Sequence, residues 1–240
     1  MHMIKSQYQI FNKHFVTIAT TALLLSLSLF TYGLYVIFFD SPDDYLQMNL
    51  VKILYLHVPS AWLAMGFYLA LGVFSLLFLI YKNPIHDIIA KSAAYVSMYL
   101  TISTLITGSI WGKPAWGTWW IWDARLTSML ILLCFQLLYF MTRNSFQSEL
   151  RCAKISAVFA ILGLIDLPII KFSVDLWATL HQKSSVLTFD GPKIHASMLF
   201  PLSITTLAIF FLAISMALIT MQSEIVVRKA RNVKSKEKCL

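Results

Sequence analysis

The stretch WGKPAWGTWWIWDARLTS, residues 111–128, decides how this chain is organised. It carries five tryptophans within twelve positions, and apolar segments precede and follow it. A connection between two apolar segments lies at a membrane surface, where about one or two tryptophan rings per helix end are enough for anchoring. The excess of aromatic surface therefore indicates a shelf for a large, flat, apolar ligand. The five are Trp111, Trp116, Trp119, Trp120 and Trp122.

The composition is that of a polytopic membrane protein. Of the 240 residues, 58% are hydrophobic and only 12% are charged, and the mean hydropathy is +0.72. One helical crossing of a bilayer needs about 20 apolar residues, so most of the chain is required for the membrane. The net charge of +8 comes from basic residues spread over loops and a short tail, which argues against a nucleic-acid partner.

Six hydrophobic runs are long enough to cross a bilayer as helices. The chain is therefore predicted to be all-α, a polytopic integral membrane protein with six transmembrane helices in a single domain, residues 1–240. In this prediction residues 111–128 form a tryptophan-rich outer loop, and residues 223–240 form a basic tail. The runs are Phe15–Phe39, Ile53–Tyr81, Ala93–Ile110, Leu126–Met141, Ala153–Ile170 and Ile194–Met221.

The basic residues predict the orientation, because lysine and arginine are enriched in cytoplasmic segments of membrane proteins. With both termini inside, thirteen of the 19 lysines and arginines lie on the inner side. Both termini and the basic tail are therefore predicted to be cytoplasmic. The tryptophan-rich loop then faces outward, together with the segments Asp40–Lys52 and Lys171–Lys193.

Three histidines lie near this outer side: His57 in YLHVPSAW, His181 in LWATLHQKSS, and His195 at the start of the sixth run. Two neutral imidazoles on one membrane face, beside an aromatic shelf, can supply both axial ligands of a haem iron. A single histidine at such a place is more often a hydrogen-bonded interfacial side chain. The three cysteines form no CxxCH motif, so the chain is not itself a covalent c-type cytochrome.

Charged residues around the loop could hold the acidic edge of such a ligand. Lys113, Arg125 or Lys183 could take haem propionates through charge-assisted hydrogen bonds. Asp123 directly precedes the fourth run. It either caps that helix and orients its neighbours or binds the ligand directly. Arg125 is close enough to pair with it. The alternative interpretation of the whole loop is an amphipathic re-entrant segment that anchors the protein at the interface.

The fifth run contains a carboxylate and a proline, Asp166 and Pro168, in LIDLPII. A carboxylate inside a membrane helix is costly unless it is paired, and the proline is expected to kink the helix. We expect Asp166 to face a water-filled cavity or to pair with Lys171. A role near a bound haem stays open.

Three motifs together resemble a known family. WGKPAWGTWWIWD resembles the tryptophan-rich WWD domain of haem-handling proteins. The order of YLHVPSAW, the WWD loop and SVDLWATLHQ along six helices is similar to that of the haem exporter protein C family of cytochrome c maturation. The resemblance covers nearly the full length of the chain. Related haem lyases also carry a WWD domain but are much longer.

The resemblance implies a function in haem delivery without bond-making catalysis. Haem would be held transiently and non-covalently, as a b-type group, at the outer face of a bacterial inner membrane, or of a mitochondrial one as the alternative. His57 and His181 would be its axial ligands, whereas His195 matches no ligand of the family. The platform would comprise the five tryptophans with Asp123.

The implied partners are a membrane-anchored haem chaperone, which receives the haem, ATP-binding-cassette transporter subunits, a small single-helix membrane subunit and the lipid bilayer. Two other classes compete when the resemblance is set aside. An electron-carrying b-type cytochrome predicts histidine pairs buried in mid-helix, often for two haems stacked across the bilayer. A permease with an aromatic gate predicts charged or broken helices near the midplane. No Walker motif is present, so any use of ATP must come from a partner.

Overall fold

The computed structural model describes residues 2–43, 47–143, 145–182, 185–186 and 191–237. Within these residues the chain is helical and has no strand, which confirms the all-α prediction. Seven α-helices are present, with a π-helical turn at Val36–Asp40 and 3₁₀ turns at Asn49–Ile53 and Gly163–Ile165. The α-helices are α1 His2–Tyr35, α2 Leu54–Tyr81, α3 Pro84–Trp116, α4 Ala124–Arg143, α5 Glu149–Leu162, α6 Asp166–Leu176 and α7 Ala196–Glu237.

Six segments of the described chain are long and apolar enough to span a membrane, as predicted. Helices α1, α2, α3, α4 and α7 each account for one of them. Helices α5 and α6, joined by the 3₁₀ turn, together form the fifth, Glu149–Leu176.

Helix α3 extends further than its hydrophobic run indicates, because both of its ends carry capping residues. Asn83 accepts a hydrogen bond from the backbone N–H of Ile85 at 3.0 Å, and Pro84 occupies the first turn, where no intrahelical donor is needed. Gly117 ends the helix in the left-handed region, with φ of 78°. The stretch from Trp111 to Trp116 is therefore helical, and the connection to α4 contains only residues 117–123.

The bundle is built around α2, which packs most extensively on α3 and also contacts α5 and α7, while α1 packs along α7. In a bilayer, small residues and interhelical hydrogen bonds stabilise such contacts, because lipid is as apolar as leucine. One face of α3 supplies Ala90, Ala93, Ala94 and Ser97, all buried. The buried amide of Gln136 on α4 donates to the Ser97 hydroxyl at 2.8 Å, which ties α4 to α3.

The fifth span is broken at the 3₁₀ turn Gly163–Ile165, just before Pro168. A proline ring clashes with the carbonyl four residues earlier, here that of Leu164, so the α-helical ladder cannot continue through this point. Asp166 starts α6 and is buried, and its Oδ2 has no hydrogen-bond partner in the structure. Among the described contacts it makes no ion pair with Lys171, so of the two alternatives offered by the sequence, a water-filled cavity or this pairing, the pairing is not found.

At the end of the bundle away from the tryptophans lies a cluster of buried ion pairs. Asp87, in the first turn of α3, accepts hydrogen bonds from Arg143 of α4 and Arg228 of α7. Glu224 of α7 pairs with Lys91 at 2.6 Å and with Arg228 at 2.9 Å. The cluster ties α3, α4 and α7 together. It lies about 40 Å along α3 from Trp116, at about 1.5 Å per residue.

Candidate functional site

A cavity of about 260 Å³ lies at the tryptophan end of the bundle, between α2, α3, the start of α4, α6 and the segment after α6. We call it the tryptophan cavity. It brings together both predicted histidine ligands, which are separated by more than a hundred residues in the sequence. Its principal walls are His57, Trp62, Trp111, Trp116, Trp120, Arg125 and His181.

His57 lies in the first turn of α2, and its Nδ1 is 3.0 Å from the hydroxyl of Thr107 on α3. That hydroxyl donates its own hydrogen to the carbonyl of Ser103 at 2.7 Å. It must therefore accept from His57, whose Nδ1 carries the proton. The imidazole also packs on Gly108, where a Cβ would lie only 3.1 Å from its Cε1. The absence of a side chain at Gly108 thus leaves room for the ring.

His181 lies after α6, and its Nδ1 is 2.7 Å from Oδ2 of Asp123. Asp123 is buried, and it also accepts from the backbone N–H of Leu126 at 2.8 Å and from the Thr179 hydroxyl. Burial alone would raise the pKa of Asp123, but these three hydrogen bonds outweigh it and hold the pKa below its ordinary value. The group is therefore an ionised carboxylate that only accepts hydrogen bonds.

Burial lowers the pKa of His181, and the hydrogen bond to Asp123 only partly opposes that effect. The ring is therefore neutral near pH 7, and its single proton lies on Nδ1, facing the carboxylate. The hydrogen-bond network assigns the same tautomer to His57. In both histidines the Nε2 lone pair is consequently free to bind a metal.

The five predicted tryptophans fall into two groups. Trp111, Trp116 and Trp120 line the cavity. The ring of Trp111 meets the His57 ring edge-on at 5.8 Å, and the ring of Trp116 lies 4.8 Å from that of His181. Trp119 and Trp122 lie outside the cavity, with 59% and 76% of their surface exposed. The indole N–H of Trp120 is buried and has no acceptor among the described residues.

The three predicted cations also differ in position. Arg125 lines the cavity, where its Nε donates to the Ser173 hydroxyl at 3.3 Å. It does not pair with Asp123 among the described contacts, because that carboxylate is already surrounded by other donors. Lys113 lies on the outside, donating to the carbonyl of Gly117 at 3.0 Å. Lys183 lies outside the described residues.

Several residues of the site were not selected from the sequence. Thr107 lies four residues before Trp111, a spacing that places both on one face of a helix and that could have been noticed. Trp62 lies within YLHVPSAW, five residues after His57. His195 is exposed at the start of α7, with Nδ1 2.7 Å from the Ser197 hydroxyl, and it does not line the cavity.

Comparisons with known proteins identify one family. The family model described as heme exporter protein C matches residues 3–236. Heme exporter protein C of Bradyrhizobium diazoefficiens is 41% identical over 215 residues, which cover 90% of this chain and 80% of that protein. The Escherichia coli K12 protein of the same name is 35% identical over 80% of this chain and 77% of its own.

A ccmC-like mitochondrial protein of Marchantia polymorpha, named for cytochrome c biosynthesis, is 42% identical over 75% of this chain and 76% of its own length. The bacterial relatives and the six spans make the chain a multi-pass protein of the inner membrane, and the mitochondrial relative fits the alternative compartment. The match over nearly all of the sequence and the identity to these relatives show that the chain belongs to the heme exporter protein C family.

Proposed function

We propose that this chain holds haem non-covalently in the tryptophan cavity and presents it to a membrane-anchored haem chaperone. Membership of the heme exporter protein C family makes it a haem-delivery component of cytochrome c biogenesis rather than a known enzyme. The observation that carries the finer proposal is the pair of histidines, His57 and His181. Each has its Nδ1 engaged in a hydrogen bond and its Nε2 free, and both line one cavity.

The chemistry of the cavity fits an iron porphyrin. Imidazole nitrogens are common axial ligands of haem iron. Four tryptophans, Trp62 among them, line the cavity and offer apolar surface to the macrocycle, and the free indole N–H of Trp120 offers a hydrogen-bond donor. The Arg125 guanidinium, on the same wall, would pair with a propionate.

The size of the cavity supports presentation rather than permanent storage. Sites that enclose a small organic ligand usually measure about 300–1,000 Å³. The tryptophan cavity, at about 260 Å³, lies below that range, so part of a porphyrin would project from it. Trp119 and Trp122 are exposed nearby on the same connection, and exposed tryptophans are enriched at protein–protein interfaces. A chaperone that takes over the haem would contact this surface.

The orientation and the other partners complete the proposal. The distribution of lysine and arginine supports an orientation with the tryptophan cavity on the outer side of the membrane and both termini in the cytoplasm. Because the sequence has no nucleotide-binding motif, ATP-binding-cassette subunits would supply any energy needed, together with a small single-helix subunit. Both candidate ligands line one cavity at one end of the bundle, which argues against an electron-carrying cytochrome with histidine pairs in mid-helix. The broken fifth span with buried Asp166 is the described feature that a permease would share.

Titration of the purified protein with hemin in detergent tests the proposal. The wild-type chain should give the absorption and electron paramagnetic resonance spectra of a low-spin iron with two imidazole ligands. His57→Ala and His181→Ala should each lose that signature, whereas His195→Ala, which lies outside the cavity, should keep it. Unchanged spectra in both of the first two variants would remove these histidines as ligands. A wild-type chain that binds no hemin would overturn the proposal itself.

A further inference from the structure

The two candidate axial histidines have different hydrogen-bond partners. His181 donates to a carboxylate, Asp123, at 2.7 Å, whereas His57 donates to a neutral hydroxyl, that of Thr107, at 3.0 Å. A carboxylate partner orients a metal-bound imidazole and increases its basicity. The Thr107 hydroxyl is uncharged, and a hydrogen bond to a neutral acceptor is about half as strong as one to a carboxylate. The two imidazoles are therefore not equivalent as ligands.

We infer that Asp123 is a positioning residue that makes His181 the stronger axial ligand, so that His57 is the ligand that leaves the iron first during transfer. This inference rests on the proposed function. Asp123 need not touch the haem in order to act in this way, because it acts through His181. Loss of the His57 bond would open one coordination position to an incoming ligand while His181 keeps the haem in place.

The carboxylate is held rigidly before any ligand arrives. Asp123 is only 8% exposed, and its Oδ1 caps α4 by accepting from the Leu126 N–H at 2.8 Å. Its Oδ2 accepts from both Thr179 and His181. The Thr179 hydroxyl in turn accepts from the backbone N–H of His181 at 3.1 Å. The start of α4 and the segment after α6 are thus joined through one side chain, which aims the imidazole.

The position of each histidine in the chain agrees with this division. His57 sits on the regular helix α2, where its ring lies against Gly108 and hydrogen-bonds to two uncharged groups, the Thr107 hydroxyl and the Thr104 backbone carbonyl. His181 lies in a segment without regular structure. Such a segment would not hold a ring in one orientation by itself, so the bond to Asp123 provides the constraint that the backbone lacks.

The test compares Asp123→Asn with Thr107→Val. Asparagine can still cap α4, because it is as good an N-cap as aspartate, so the fold should persist and can be checked by circular dichroism. Loss of a ligand's outer hydrogen-bond partner usually lowers metal affinity about 10–100-fold, and Asp123→Asn should lower hemin affinity by that factor. Thr107→Val removes an uncharged partner of His57 and should lower hemin affinity by a smaller factor than Asp123→Asn does.

A second measurement identifies the ligand that leaves. Carbon monoxide added to the reduced, haem-loaded protein should displace His57 and leave His181 opposite to it. The iron–carbon and carbon–oxygen stretching frequencies should then shift in Asp123→Asn and stay unchanged in Thr107→Val. The reverse pattern would show that His181 leaves first, and equal affinities in the two variants would show that Asp123 has no special effect. Either result overturns the inference. The proposed function would still stand, provided that the wild-type protein binds haem.

A third measurement needs no haem. In the unloaded protein labelled with ¹⁵N-histidine, the His181 ring should show a proton on Nδ1 in a strong hydrogen bond, and Asp123→Asn should weaken that bond. A proton on Nε2 of His181 in the wild type would contradict the assigned tautomer and overturn the inference. If the wild type shows the Nδ1 proton but binds no hemin, the proposed function is wrong. The inference, which rests on it, is then wrong as well.

Discussion

Replacing Asp87 with asparagine should destabilise the whole bundle, although the residue lies far from the tryptophan cavity. Its side chain is 4% exposed, and it accepts from Arg143 at 3.1 Å and from Arg228 at 2.5 Å. Asp87→Asn keeps the size of the side chain but removes its negative charge. The largely buried guanidinium groups of Arg143 and Arg228 would then lose the anionic partner that they share.

The structure indicates how large the effect should be. Arg228 would keep Glu224 at 2.9 Å and Glu149 at 3.0 Å, so its charge would stay compensated. Arg143 would lose its described ion pair and keep only neutral acceptors, the Tyr139 hydroxyl at 2.8 Å and the carbonyl oxygen of the new asparagine. Its Nε already has no partner among the described residues. Removing one member of a buried ion pair costs about 3–5 kcal/mol, and a single uncompensated arginine favours the lower figure, about 3 kcal/mol.

Thermal unfolding of the purified protein in a fixed detergent measures this cost. For a chain of this size each kcal/mol lowers Tm by roughly 2–4 °C, so Asp87→Asn should melt about 6–12 °C below the wild type. Asp43→Asn is the matched control, because Asp43 pairs with Lys52 at 3.4 Å with its side chain 48% exposed. Exposed pairs contribute about 0–1 kcal/mol, so this control should melt within about 4 °C of the wild type. If the two variants melt at the same temperature, the cluster does not stabilise the bundle.

Three further predictions concern the site and its orientation. Gly108→Val should crowd the His57 imidazole and lower hemin affinity about tenfold. Gly66→Val is the control, because a Cβ at Gly66 meets nothing within 4 Å. Equal hemin affinities of the two variants would show that Gly108 makes no room for the ring. Trp120→Ala should reduce haem retention during purification more than Trp119→Ala, because only the first ring lines the cavity; the opposite order would place the ligand on the exposed tryptophans. Alkaline phosphatase fused after Leu240 should be inactive, and a reporter that works only in the cytoplasm should be active, because the basic tail is expected inside. An active phosphatase would show that the orientation is the opposite one.

Most of the fold could be predicted from hydropathy, because a bilayer requires long apolar helices. The six spans agree with the six runs, but their ends do not. The fifth was predicted as Ala153–Ile170 and extends over Glu149–Leu176, since the cap at Ser148 lies before the apolar stretch and α6 continues to Leu176, beyond its end. Helix α3 likewise continues to Trp116, because polar residues near a helix end do not interrupt its backbone hydrogen bonds.

The site was predictable in its residue types and only partly in its arrangement. Family resemblance indicated His57 and His181, and the structure places both in one cavity. Sequence reasoning left Asp123 as either a cap or a ligand. In the structure it caps α4 and binds His181, which no local pattern could show, because the partners are 58 residues apart. The division of the tryptophans into cavity and surface groups depends on where α3 ends.

The amino-acid sequence by itself determined that this chain is a six-span membrane protein with an aromatic, histidine-flanked end. The reason is that crossing length and hydrophobicity are properties of each segment alone. Only the tertiary structure decided which imidazole nitrogen is free, which tryptophans face the cavity, and that Asp87 binds Arg228, 141 positions away. Those features depend on how helices that are remote in sequence pack side by side, and packing is a property of pairs of segments.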